Sequence, residues 1–324
     1  RQAWRGMAIS KTNTSTKRGR VRTLSQDGET LVRFAEALKL RGLAVATQSE
    51  YLRFARKLLG RLECAPEAVT EEQLRAHLLR LKEAHGYSPS SMRTAVAAMR
   101  ALFGLHLGRD WKLFDLVRSA SERKLPTVLT RAEVARLFSV VREERFRVFF
   151  RFVYATGLRL FGALQLEVSD LREADRVRVR GGKGNKDRYV PLPEAMLHEL
   201  RRFWRTHRNP RWIFPSVGRG WREKPACRAR LGTVDEPMGQ GSVQHCMKLA
   251  RAAARLPEGT CTHTLRHSYA THLLEAGVSI RLISAYLGHT SLETTLIYTH
   301  LTAVNESSAR SAIARLLPPD RSPV

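Results

Sequence analysis

Acidic residues are scarce in this chain. Thirty Asp and Glu stand against 56 Lys and Arg in 324 residues, a formal net charge of +26. A compact fold with that excess repels itself unless an anion offsets it, and nucleic acid is the partner class that fits best. Long apolar runs are also missing: no stretch approaches the roughly 18 apolar residues of a membrane span, so a membrane partner is not expected. The N-terminal region has no apolar core of the kind a secretory signal needs. Cysteine is sparse, and Cys64, Cys227, Cys246 and Cys261 form no C-x-x-C pair. In a chain of this length that points to free thiols in a reducing compartment. No repeat of fixed period is present. The expectation is a soluble intracellular protein that binds a polyanion.

What is present falls into two parts. Residues 1–25 hold seven Lys or Arg and no acid, around "SKTNTSTKRGRVRTLS", and read as a disordered basic arm. Met7 lies within it, so residues 1–6 are taken as upstream sequence. From 26 to 111 the periodicity is helical, with segments at 28–41, 45–62, 71–85 and 89–106. Thr70 with Gln73 forms a capping-box start, Gly86 a stop, and Ser88-Pro89 the next start. Arg53, Arg56, Arg93 and Arg100 are expected on exposed faces. Residues 112–128 read as an extended linker in which Pro126 blocks helix, and Thr130 with Glu133 caps the helix that opens a second domain at 129. There "RVFFRFVYATG" predicts a buried helix ending at Gly157. "RVRVRGGKGNKDRYVPLP" predicts a β-hairpin with a basic outward face, followed by more helix around an irregular Gly/Pro/Arg insertion at 215–241.

Five of the eleven histidines lie between 261 and 300, and "THTLRHSYATH" places His263, Arg266 and His267 on one helical face. A solvated face favours Lys and Glu, and a core face favours Leu and Ala. Three readings compete. The histidines are structural; or Cys261, His263 and His267 bind metal, against which stands the lack of HExxH and of paired cysteines; or the face serves phosphate chemistry. Breaking a phosphodiester without metal needs cations on the non-bridging oxygens, a nucleophile, an acid for the leaving oxygen and a base. Arginine suits the first role, because its planar fork grips two oxygens and stays charged. Tyr298 suits the second, its phenol helped by cationic neighbours.

Four stretches, "ATGLRLFGALQLEVSDL", "VRGGKGNKDRYVPLP", "HTLRHSYATHLLEAGVSI" and "LGHTSLETTLIYTHL", resemble in order and spacing the tyrosine recombinase (phage integrase) family. The likeness covers about 130–302, and the helical 26–111 region resembles that family's core-binding domain. It implies a mainly α fold with a small β-sheet, an all-helical DNA-clamping domain and a mixed α/β catalytic domain (129–304). Residue by residue it assigns Arg159 and Arg266 to a phosphate clamp and Lys183 to the general acid for the 5′-oxygen. His263 assists proton transfer at the nucleophile, His289 hydrogen-bonds a phosphate oxygen, and Tyr298 forms a 3′-phosphotyrosyl link. His267 and His272 have no role in it and read as structural. No cofactor is implied. The implied partners are double-stranded DNA with inverted-repeat core sites and a homo-tetramer on synapsed DNA, with accessory DNA-bending proteins as a further partner. The implied setting is the bacterial cytoplasm and nucleoid, on a mobile element that integrates or transposes. An amphipathic segment at 305–317 would dock on a neighbouring protomer or on its own domain. One position departs: the family usually has an acid three residues after the first arginine, where this chain has Gly162. That keeps two alternatives open, a catalytically impaired recombinase-derived DNA-binding protein and a type IB topoisomerase-like activity.

Overall fold

The computed structural model describes residues 28–62, 64–116, 125–171, 173, 175–180, 187–217, 230–289 and 291–300. The expected basic arm, the hairpin tip with Lys183 and the 305–317 segment lie outside them. The chain divides into two units, residues 1–123 and 124–324. Mainly helical with one small sheet, it has the fold class read from its sequence.

In the first unit helices α1 (28–40), α2 (Val45–Leu59), α3 (Glu71–Glu83) and α4 (Pro89–Arg100) surround a core of Phe34, Leu38, Phe54, Leu58, Leu74, Met99 and Phe103. Thr70 and Gln73 exchange the two capping-box hydrogen bonds, and Ser88 caps α4 with Pro89 in its first turn. From Ala101 to His106 the helix widens into a π turn, which periodicity alone does not reveal. Leu113 and Phe114, in the short helix α5 (Leu113–Leu116), bury in the same core. The four expected arginines are exposed, but two are paired, Arg53 with Glu50 at 2.7 Å and Arg100 with Asp115 at 2.6 Å.

The second unit begins with α6 (Arg131–Val140), whose Thr130–Glu133 capping box is complete, and α7 (Glu144–Thr156), buried through Phe146, Phe149, Phe150, Phe152 and Val153. After α8 (Leu160–Leu164), strands β1 (Arg176–Val179) and β2 (Arg188–Pro191) pair antiparallel with Val177 opposite Val190. Val177 and Val190 face the core, as the alternation requires. The arginines on the other side are not a free basic face. Arg178 and Arg180 turn onto Asp170, which is 4% exposed, at 3.3 and 2.7 Å, and Arg180 also meets Glu167 at 2.6 Å. A buried carboxylate needs such partners, so these guanidiniums are held by the fold. Helices α9 (Glu194–Arg205), α10 (Gln240–Ala253), α11 (Thr262–Glu275), α12 (Ile280–Leu287) and α13 (Glu293–Leu296) follow, and a tight turn, Ile297–His300, carries Tyr298.

Candidate active site

Helix α11 is buried on most sides: Thr262, Thr264, Leu265, Arg266, Ser268, Tyr269, Ala270 and Thr271 all lie inside. Its polar groups are tied locally. Thr264 Oγ1 accepts from the Cys261 backbone N–H, and Ser268 Oγ donates to the Thr264 carbonyl and accepts from the Leu129 N–H. Through this packing it carries Arg266, 1% exposed, into the interior.

Arg266 donates from Nη1 to the Gly157 carbonyl at 2.5 Å, and from Nη2 to the Leu287 carbonyl at 2.8 Å and to His289 Nε2 at 2.9 Å. A guanidinium has five N–H donors, and three are engaged, so two remain among the described residues. Burial first, then the repulsion of Arg159, pushes its pKa down to about 9, which leaves it charged at neutral pH. Gly157 makes the first contact possible. It ends α7 at φ +64°, and a Cβ there would stand 2.4 Å from the Tyr269 ring.

Around Arg266 stand the other candidates. Arg159, at the start of α8, is exposed, and its charge depresses His263, Arg266 and His289. His289 accepts from Arg266 at Nε2, so its proton sits on Nδ1 and points to Thr295 Oγ1 at 2.8 Å. Burial, then Arg266 and Arg159, bring His289 to about 4. Tyr298 is 3% exposed, packed with Tyr269, Ala270, Ile283 and Leu287; burial raises its pKa, and Arg266 and Arg159 oppose that. Its hydroxyl lies 3.0 Å from His267 Nδ1. His263 is exposed and stands edge-to-face against His267, ring centroids 4.8 Å apart. His272 bonds Tyr154 at 2.8 Å, a structural pairing on the far side of α11.

With that geometry in hand, comparison with known proteins is decisive. Residues 127–304 match the phage integrase family, and residues 31–113 match the phage integrase N-terminal SAM-like domain. The chain belongs to the tyrosine recombinase family. It is 34% identical over 280 residues to tyrosine recombinase XerA of Pyrococcus furiosus, covering 85% of this chain and 90% of that one. An integrase/recombinase of Escherichia coli is 32% identical over 289 residues, covering 78% and 83%. Among solved structures, a lambda integrase dimer bound to a COC′ core site shares the fold with TM-score 0.64 at 19% identity, over 89% of this chain and 81% of that one. The chain is therefore an enzyme of the tyrosine recombinase type.

Within this recombinase the sequence reading brought Arg159, His263, Arg266, His289 and Tyr298 to one place, and Lys183 lies outside the described residues. It missed two neighbours. His267, read as structural, touches the Tyr298 hydroxyl. Arg188, on β2, donates to the Tyr286 carbonyl at 3.3 Å and lies against Gly288, where φ is +62° and a Cβ would come within 2.7 Å of the guanidinium. Burial and Arg159 both lower the Arg188 pKa, and its charge acts in turn on Arg266 and His289. The signal for both lay in spacing: His267 on the face of His263, and Arg188 just beyond the hairpin turn. Among the described residues no group of three or more His, Cys, Asp or Glu is placed to hold a metal ion, and no helix is long and apolar enough to cross a membrane.

Proposed function

We propose that this recombinase cuts and rejoins duplex DNA at specific sites through a 3′-phosphotyrosyl intermediate on Tyr298. One observation carries the reading: among the described residues, buried Arg266 keeps two N–H donors unengaged, within electrostatic reach of Arg159 and of the Tyr298 hydroxyl. Cations with no carboxylate partner among the described residues call for an anion, and a phosphodiester offers two non-bridging oxygens. Arg159 and Arg266 grip those oxygens as charge builds. Tyr298 attacks phosphorus, and the P–O5′ bond breaks with a proton from Lys183. His263 assists proton transfer at the nucleophile. His289 hydrogen-bonds a phosphate oxygen once Nε2 leaves Arg266 and gains a proton, the phosphate charge offsetting the burial and the arginines that keep the free ring neutral. The phosphotyrosyl bond conserves the energy of the broken one, so rejoining needs neither ATP nor metal.

The neighbours' complexes support the wider reading. Solved relatives include a lambda integrase tetramer bound to a Holliday junction and a Tn1549 transposon integrase with transposon end DNA. By analogy this chain acts as a homo-tetramer on two synapsed inverted-repeat sites of a mobile element. Gly162 favours a second reading, a DNA-binding protein that has lost the chemistry. Trapping on nicked DNA decides between them: wild type should form a denaturation-resistant adduct, and Tyr298→Phe should bind DNA and form none. An adduct with the Phe variant removes Tyr298 as nucleophile, and none with wild type favours the binder. A two-site recombination assay then separates a recombinase from a topoisomerase-like enzyme, which acts without synapsis.

A further inference from the structure

We propose that His267 takes the proton from Tyr298, with His263 assisting through its edge-to-face contact with the His267 ring, which makes His267 a catalytic residue of this enzyme. The inference rests on the reading that Tyr298 is the nucleophile. Its ground is geometric. Nδ1 of His267 lies 3.0 Å from the phenolic oxygen, and among the described residues no other side chain hydrogen-bonds that hydroxyl. The Tyr298 ring is already held by Tyr269, Ala270, Ile283 and Leu287, so holding the ring does not require an imidazole. His263, which shares the helical face, meets the His267 ring edge-to-face instead.

The protonation states are consistent with this direction. On this proposal Nδ1 accepts from the phenol, which puts the proton of the neutral ring on Nε2. The groups facing His267 are His263 and Arg266 on its own helix, His289 after α12, and Tyr298. Burial first, then His263, Arg266 and His289, push its pKa down to about 4, so its lone pair is free at neutral pH. An imidazolium so poorly tolerated returns its proton readily when the strands rejoin.

The cleavage step then balances. The phenolic oxygen forms a bond to phosphorus, and the P–O5′ bond breaks with its electron pair going to O5′. The phenol proton moves to His267 Nδ1, and O5′ takes the proton assigned above to Lys183. In ligation each transfer reverses.

The test is single-turnover adduct formation on nicked DNA by the full chain, with DNA affinity and melting temperature measured alongside. His267→Ala should slow adduct formation by about 100-fold or more, the range of a lost general base. His267→Asn keeps an oxygen able to accept from the phenol but offers no useful base, so it should be equally slow. A fluorinated, more acidic tyrosine at 298 should restore much of the rate to both variants. Asn at wild-type speed would show that only the hydrogen bond matters, and would overturn the proposal. So would a slow Ala variant that the acidic tyrosine does not rescue, or an Ala variant as fast as wild type or faster, which would make the contact a restraint on the resting nucleophile. Tyr298→Phe separates the two levels: an adduct there defeats the nucleophile reading, whereas unimpaired His267 variants defeat only this inference.

Discussion

Gly162→Glu should make the enzyme both faster and more stable. Gly162 lies in the middle of α8, three residues after Arg159, and a Cβ there meets nothing within 4 Å. Phe161 is 67% exposed and has not closed over the position. Beside it is a cavity of about 270 Å³ lined by Arg159, Arg178, Arg180 and Arg188 together with Asp170. Asp170 is engaged by Arg178 and Arg180, so Arg159 and Arg188 have no carboxylate of their own among the described residues. A Glu side chain entering this space meets two guanidiniums with no carboxylate partner among the described residues, rather than an apolar wall, so the cost of burying a lone charge does not arise. Replacing a helical glycine contributes up to about 1 kcal/mol. A pair with exposed Arg159 adds roughly 0.2–1 kcal/mol. Taking about 1 kcal/mol in total, the melting temperature of a unit this size should rise by about 2–4 °C. If Arg159 is held more firmly in the transition state by a similar amount, cleavage accelerates about fivefold. DNA affinity, spread over many phosphate contacts, should stay nearly constant. Single-turnover trapping and thermal melting on the same preparation check it. A variant that melts lower or cleaves more slowly would show that the carboxylate competes with the phosphate for Arg159, and would refute the reasoning.

Gly157→Ala should be among the most damaging single changes, since it adds a left-handed penalty to an overlap with the Tyr269 ring; the expected loss is about 2–5 kcal/mol in urea denaturation. Lowering pH should destabilise the protein in a defined window. His267 and His289 have folded pKa values of about 4 against an ordinary 6.5, so the stability they contribute is complete above 6.5 and is lost as pH falls toward 4. Melting temperature recorded from pH 7 to 4 should decline there, and the decline should be shallower in His267→Asn. Binding should weaken steeply with salt, and removing residues 1–25, with seven Lys or Arg, should flatten the log–log slope by at most about six. An unchanged slope would mean that the arm does not touch DNA.

Local signals carried the fold well. Thr70 with Gln73, Thr130 with Glu133, and Ser88-Pro89 marked helix starts because a cap is a bargain between residues three apart, visible without tertiary context. Arg159, Arg266 and Tyr298 were legible through the family resemblance, and His263 and Arg266 share a face by spacing alone. Contacts made across long separations were not legible. His267 meets a hydroxyl 31 residues away, so periodicity gave its face but not what that face touches. The strand arginines promised a basic exterior, yet buried Asp170 draws two of them in. Whether Gly162 was closed over or open was likewise a matter of packing, and it is open.

Arg266 is also a mechanical joint. Its guanidinium links the end of α7 at Gly157 to the end of α12 at Leu287 and to His289, which reaches on to Thr295 in the segment that carries the tyrosine. Counting α11, which carries it, three pieces of chain far apart in sequence therefore share one rigid planar group, and a shift of any one of them tilts it. Substitutions in the apolar interior of α7 or α12, with no contact to DNA, should consequently show up as altered turnover while equilibrium binding holds. The same joint closes only when all three pieces have docked, so on the proposed chemistry a partly folded catalytic unit should have no half-working site, and strand cutting should be confined to fully assembled molecules.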